Sequence, residues 1–169
     1  MPPVYQETTT KKEEKVMDEV LNGLDYIMFI DTTTPIDSAP VAYIPVMCET
    51  TSSFSGTTDA QEISNKCIAG GFGNSNPGTK TWEFTGEGHA IDESGAPSRA
   101  SFETIRDLWK SGQKFWARQA NKDPLTGFVT MVEGVVWVSA YEQTVGTEDP
   151  FTFTYTFTGV GEPNFDEAT

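Results

Sequence analysis

The sequence predicts a mainly β domain, an antiparallel β-sandwich or barrel-like fold flanked by one α-helix. Three observations predict it. "FTFTYTFTGVG" (151–161) alternates without a slip, with Phe151, Phe153, Tyr155 and Phe157 on one parity and Thr152, Thr154, Thr156 and Thr158 on the other. In a strand those two sets face opposite sides, which makes an aromatic wall backed by an uncharged threonine wall. Short β-prone runs separated by Gly, Asn and Pro recur from residue 25 onward. A clear helical period with both end signals appears at 101–113, between strands. Many short strands and one docked helix point to an antiparallel sheet domain.

The elements follow in order. Residues 1–9 read as a loose arm. "TKKE" (10–13) has the form of a capping box, and Val16, Val20 and Leu24 fall at helical spacing before or beside Gly23. A short helix is expected at 11–22. "DYIMFI" (25–30) begins the β region, "VAYIPVMCETTSSFS" (41–55) reads as one long strand or two, and "QEISNK" (61–66) as another. "CIAGGFGNSNPG" (67–78) reads as a loop from its Gly, Asn and Pro density. "TKTWEFTGEGHAI" (79–91) is a strand that puts Trp82 and Phe84 on one parity and Glu83, Thr85 and Glu87 on the other.

In "SFETIRDLWKSGQ" Ser101 is the expected N-cap and Gly112 the stop. Phe102, Ile105, Leu108 and Trp109 form its expected core face, with Glu103, Arg106, Asp107 and Lys110 turned away. "QKFWARQA" (113–120) is a strand, "NKDPLTG" a turn, and "FVTMVEGVVWVSAYEQT" (128–144) strand with Gly134 at a bulge or turn. The chain of 169 residues divides into an arm at 1–23, one β domain at 24–163 and a tail at 164–169.

The net charge of −14 opposes binding of nucleic acid through its phosphates. The charge is uneven. Residues 96–130 carry Arg99, Arg106, Lys110, Lys114, Arg118 and Lys122 against Glu103, Asp107 and Asp123, while 131–169 has seven acids and no base. This is either a mixed helix on a solvated acidic surface or a basic patch that meets an acidic one on a second copy. No apolar run approaches membrane-spanning length, and the first residues have no signal-type apolar stretch; a soluble protein made in a cytoplasm is expected. Cys48 and Cys67 lack metal spacing and are expected as free thiols.

Catalytic constellations are not evident. His89 is the only histidine, which excludes a histidine-rich metal site. "GNSNPGTKT" (73–81) departs from a phosphate loop in its lysine spacing and in Pro77. "DTTTPID" (31–37) lacks the glycine and closing glutamate of a calcium loop and reads as a polar turn. No cofactor and no enzyme activity are expected.

Two segments echo each other, "WEFTGEG" (82–88) and "YTFTGVG" (155–161). Together with "EISNK", a glycine-rich loop, "SFETIRDLWKSGQKFWAR", "MVEGVVWVSAYEQT" and "DPFTFTYTFTGVGEP", their succession resembles the major tail proteins, or tail tube proteins, of long-tailed bacteriophages. The resemblance spans roughly residues 24–163 and rests on order and spacing, since no single motif is specific.

It implies a β-sandwich assembled into six-membered rings that stack into a tube for DNA. The partners it implies are the chain itself and other tail proteins such as the tape measure, initiator and terminator, with DNA in transit and no membrane. The candidate lumen residues are then Glu83, Thr85, Glu87, Thr152, Thr154, Thr156 and Thr158. Gly70, Gly71, Phe72, Gly73, Asn74, Pro77 and Gly78 form the candidate ring-stacking loop, and Arg99, Arg106, Lys110, Lys114 and Arg118 the candidate basic patch between subunits. Open alternatives are a β-sandwich binding module, such as an adhesin or carbohydrate-binding domain, and a related terminator or baseplate protein. A threonine-rich strand face can also simply meet solvent, because threonine favours strands in any case.

Overall fold

The computed structural model describes residues 26–63, 74–91, 99–121, 130–147 and 149–165. The expected helix at 11–22, Cys67, and Gly70, Gly71, Phe72 and Gly73 lie outside the described residues. Among the described residues seven strands and one helix run in the order β1 (Tyr26–Asp31), β2 (Ile44–Pro45), β3 (Glu49–Ile63), β4 (Asn74–His89), α1 (Phe102–Ser111), β5 (Phe115–Asn121), β6 (Thr130–Thr144) and β7 (Thr152–Phe165). The strands make a single antiparallel sheet in the order β2-β1-β5-β6-β7-β4-β3. The expected mainly β fold with one flanking helix is what forms, without closing into a barrel.

The sheet curls. β3 ends it on one side, yet the first residues of β3 return to β1 and β5 near its other side. There Glu49 takes the Met28 amide at 2.8 Å and Ser52 takes the Gln119 side-chain amide at 3.2 Å. The concave side holds one apolar core that includes Met28, Ile30, Phe84, Phe115, Val136, Tyr155 and Phe157. The aromatic wall of β7 is buried in it, as its alternation predicts: Phe153, Tyr155 and Phe157 are closed to solvent, and Tyr155 stacks on Phe157 with ring centres 4.3 Å apart.

The α1 helix covers this core beside β6. The Ser101 side chain accepts the Thr104 amide, and Gly112, at φ 64°, closes the C-terminus through its N–H to the Leu108 carbonyl. That backbone geometry suits glycine, so both end signals act as expected. Ile105 and Leu108 are buried and Phe102 packs on Phe151 at 5.2 Å. Trp109 departs from the expected core face and is 49% exposed. The helix is seated on one principal strand, so its buried stripe narrows to Ile105 and Leu108 and the last turn leaves the larger indole half outside.

Two boundaries differ from expectation. The strand signals at 41–55 and 61–63 resolve into the two-residue β2, a turn at Met47–Cys48, and one continuous β3, and the rest of the 61–66 signal lies outside the described residues. Cys48 is a free thiol at φ 51° in that turn. The stretch to residue 78, read as loop, already belongs to β4 from Asn74. Asn74 pairs with Ile63 and Pro77 with Ala60, beside an irregularity between Thr58 and Ala60. Beyond Glu83, β4 has no β7 residue paired on its other side, so the missing N–H of Pro77 breaks no sheet ladder there. Gly134 lies at a register shift between Glu133 and Val135, as a bulge.

Candidate functional site

The convex side of the sheet divides into a covered half and an open half. Residues 32–43 form a strap over the β1–β5–β6 half, and Asp31 fixes it. One oxygen of Asp31 accepts the Thr33 amide, the Thr33 hydroxyl and the Thr34 amide at 3.0 Å each. The other accepts the Thr34 hydroxyl at 2.6 Å and the Val41 and Ala42 amides at 3.1 and 2.9 Å. Burial alone would raise the Asp31 pKa, but the bonds from Thr34, Ala42 and Thr33 hold the carboxyl well below the usual range. The "DTTTPID" stretch is therefore a polar turn with its carboxylate already saturated by the chain's own donors.

At the end of the strap, the Tyr43 hydroxyl donates to Glu133 at 2.9 Å, and the Arg118 guanidinium stands 3.9 Å from the Tyr43 ring centre and 5.4 Å from that of Phe29. Burial, then the bond and charge of Glu133, push the Tyr43 hydroxyl well above its ordinary pKa. Arg118 thus stands on the convex side, packed within the subunit by cation–π contact. Arg106 and Lys110 lie on α1, on the concave side. Arg99 and Lys114 are exposed just outside the helix ends, and Arg99 lines a cavity with Ile27 and Phe29, so the structure divides the candidate basic patch: Arg106 and Lys110 lie on the helix, and Arg118 on the opposite side of the sheet.

The open half spans β3, β4, β7 and the end of β6, and the strand register assembles the sequence-predicted polar residues on it. One row reads Thr51, Glu87, Thr154, Glu142; the next Ser53, Thr85, Thr156, Ala140; the next Ser55, Glu83, Thr158, Trp137. His89 pairs with Thr152 at the end. The two stretches that echo each other in sequence therefore lie side by side with their polar parities on the same face. Hydroxyls link neighbouring strands: Ser53 to Thr85 at 2.7 Å, Thr57 to Thr81 at 2.7 Å, and Thr158 to Ser139 at 2.7 Å. No Lys or Arg stands in these rows, so the face is hydroxyl-rich and acidic.

Beyond the rows, Thr57–Ile63 and Asn74–Thr81 continue as a two-stranded ribbon, exposed over 57–62 and at Pro77 and 79–81, which carries Asn74, Pro77 and Gly78 in its backbone. Among the described residues β3 ends the sheet, and no strand pairs with its outer edge. An unpaired long edge is a template for pairing with another chain. Among the described residues no group of three or more His, Cys, Asp or Glu is placed to hold a metal ion, and no helix is long and apolar enough to cross a membrane.

Sequence reasoning found the open face but missed Asp31 as the strap's anchor, Glu49 inside the fold and Arg118 as a packing group. Alternation identifies a strand face; it does not reveal which remote loop will cover half of it.

No protein-family description matches the chain, and no curated protein sequence does. Solved structures do. The tail of an empty gene transfer agent particle, refined with C6 symmetry, superposes with a TM-score of 0.67 at 15% identity over 88% of this chain and 100% of that one. The SPP1 tail tube superposes with a TM-score of 0.59 at 16% identity over 87% of this chain and 80% of that one. The anti-feeding prophage baseplate gives 0.55 at 8% identity over 88% and 96%. The chain has the fold of the phage tail tube.

Proposed function

We propose that the protein is a tail tube subunit that forms six-membered rings, stacks them, and lines the resulting conduit for DNA with the open face of β6, β7, β4 and β3. The observation that carries this reading is the face itself: hydroxyls and carboxylates in register on β3, β4 and β7, flanked by Glu142, Ala140 and Trp137 of β6, with no cation in the rows. DNA must pass such a wall without being held. Lysine or arginine would add phosphate contacts and retain the polymer, whereas hydroxyls and scattered carboxylates do not.

The assembly reading draws on two further features. Among the described residues no strand pairs with the outer edge of β3, and a two-stranded ribbon is marginal alone and gains from a neighbour's surface. The ribbon, with residues 64–73 that join its strands in sequence, is the candidate contact between rings, and Arg99, Arg106, Lys110 and Lys114 the candidate contact within a ring. The likeness to a tail refined with C6 symmetry supports the ring number, and the likeness to SPP1 a tube over a single ring. The tape measure, initiator and terminator are the tail partners such a subunit meets, and the virion tail is its location.

Sedimentation velocity over a wide concentration range tests the reading. Head-to-tail contacts do not close along the axis, so species should grow without a fixed upper size. A baseplate or terminator protein would stop at one ring, and a binding module would remain a monomer.

A further inference from the structure

Glu49 is a largely buried carboxyl at the place where the first residues of β3 approach β1 across the curled, open sheet. It opens β3, and its oxygens reach two other strands: Oε2 accepts the Met28 amide of β1 at 2.8 Å, and Oε1 accepts the Tyr155 hydroxyl of β7. Ser52 supplies a third donor, and Ser52 Oγ in turn accepts the Gln119 side chain of β5. Tyr155 gets there by crossing β4 over Gly86, where an added Cβ would stand 2.3 Å from the Tyr155 hydroxyl oxygen.

The other titratable or charged neighbours are few. Arg99 and Cys48 line a cavity of about 380 Å³ with Glu49, and no ion pair joins Arg99 to Glu49 among the described residues. His89 follows Gly88, the strand partner of Glu49, but is exposed on the opposite parity of β4.

We propose that Glu49 is a proton-operated latch, whose neutral carboxyl holds the seam between β3 and β1 closed and whose ionisation loosens it. A carboxylate at this position gives up most of its hydration for neutral donors alone. In the neutral form its own O–H needs an acceptor, and the Tyr155 hydroxyl can accept as well as donate. Burial pushes the Glu49 carboxyl up to about 7, against the opposing pull of the Tyr155, Met28 and Ser52 bonds. Once ionised, the group regains water when the first residues of β3 swing outward, which parts the Met28 bond. The latch is a property of the single subunit and does not depend on the tail-tube reading.

NMR on the full chain, kept dilute enough to remain unassembled, tests it through two signals. The first is the side-chain carboxyl carbon of Glu49, which should titrate near neutrality. The second is hydrogen exchange of the Met28 amide, corrected for the intrinsic effect of pH. Its protection should fall about tenfold from pH 6 to pH 8.5, the factor linkage gives for a carboxyl with a pKa of about 7 closed and the ordinary 4.5 open. In Glu49→Gln, or in Tyr155→Phe with Glu49 kept should the first variant not fold, that pH dependence should vanish or move. A Glu49 carboxyl that titrates near 4.5, or Met28 protection equal at both pH values, overturns the proposal.

Discussion

Trp82 lies directly on Gly159. A Cβ at Gly159 would stand 2.0 Å from Trp82 Cε2, and the indole N–H donates to the Gly161 carbonyl at 2.7 Å. The relation is reciprocal, because Tyr155 lies on Gly86 in the same way. The two echoing segments pair antiparallel about Phe84 and Phe157, so the aromatic residue of each covers a glycine of the other. Gly159→Ala should therefore destabilise the subunit by about 2–3 kcal/mol, the scale of an overpacked core. Gly112→Ala, where φ is +64° and nothing lies within 4 Å, should cost only about 1 kcal/mol. Urea unfolding of both variants checks the contrast; equal midpoints would separate the echo from the packing.

Asp31→Asn should free the strap. It replaces a carboxylate that takes six bonds by an amide whose NH₂ meets other donors, at a cost on the order of 3 kcal/mol. The sign with pH follows from the lowered pKa. Asp31 contributes its full stability above the ordinary carboxyl value of 3.8 and loses it as pH falls through the lower folded value. Thermal unfolding from pH 5 to pH 2 should show a shallower acid loss in the variant than in the wild type.

Reversal of Arg106 and Lys110 to Glu should spare folding and weaken assembly. Arg106 lies 3.7 Å from Glu103 and 3.6 Å from Asp107, with 60% and 67% of those acidic side chains exposed. Exposed pairs of this kind are each worth under about 1 kcal/mol. Unchanged melting with smaller assemblies is the expected outcome, read by circular dichroism and sedimentation. Normal assembly would take α1 out of the contact between subunits.

Much of this architecture is legible in the sequence, and the reason is physical. The parity of β7 and of Glu83–Glu87 survives because a one-residue slip would invert every side chain of a half-buried strand. Ser101 and Gly112 mark α1 because capping is local. Where the outcome depends on distant chain, the sequence misleads. Asn74, Pro77 and Gly78 carry turn chemistry yet form a ribbon, since β3 supplies the pairing and the other edge asks for none. Arg118 counts toward a basic surface until Tyr43, 75 residues earlier, folds over it. Glu49 looks like an ordinary strand acid because its burial depends on Met28 and Tyr155 arriving from either side.

Glu83→Lys with Glu87→Lys tests the face as a DNA wall. Both side chains stand on the convex face, away from the core, so folding and assembly should change little. In a stacked tube the new cations would form a dense basic lining, and each phosphate contact adds salt-dependent attraction. Particles that look normal should eject DNA slowly or incompletely, with partial rescue at high salt. Wild-type ejection from fully assembled mutant tails would put these residues outside the conduit.

Electron cryomicroscopy of the purified protein at high concentration decides whether this chain builds a tube with its hydroxyl face inward, as proposed. A tube subunit of this kind should give hollow filaments of stacked six-fold rings, with Thr154, Thr156 and Thr158 on the inner wall beside Glu83, Thr85 and Glu87. Monomers at every concentration, even with tail initiator components present, would contradict it, and so would a tube that carries those residues on its outer surface.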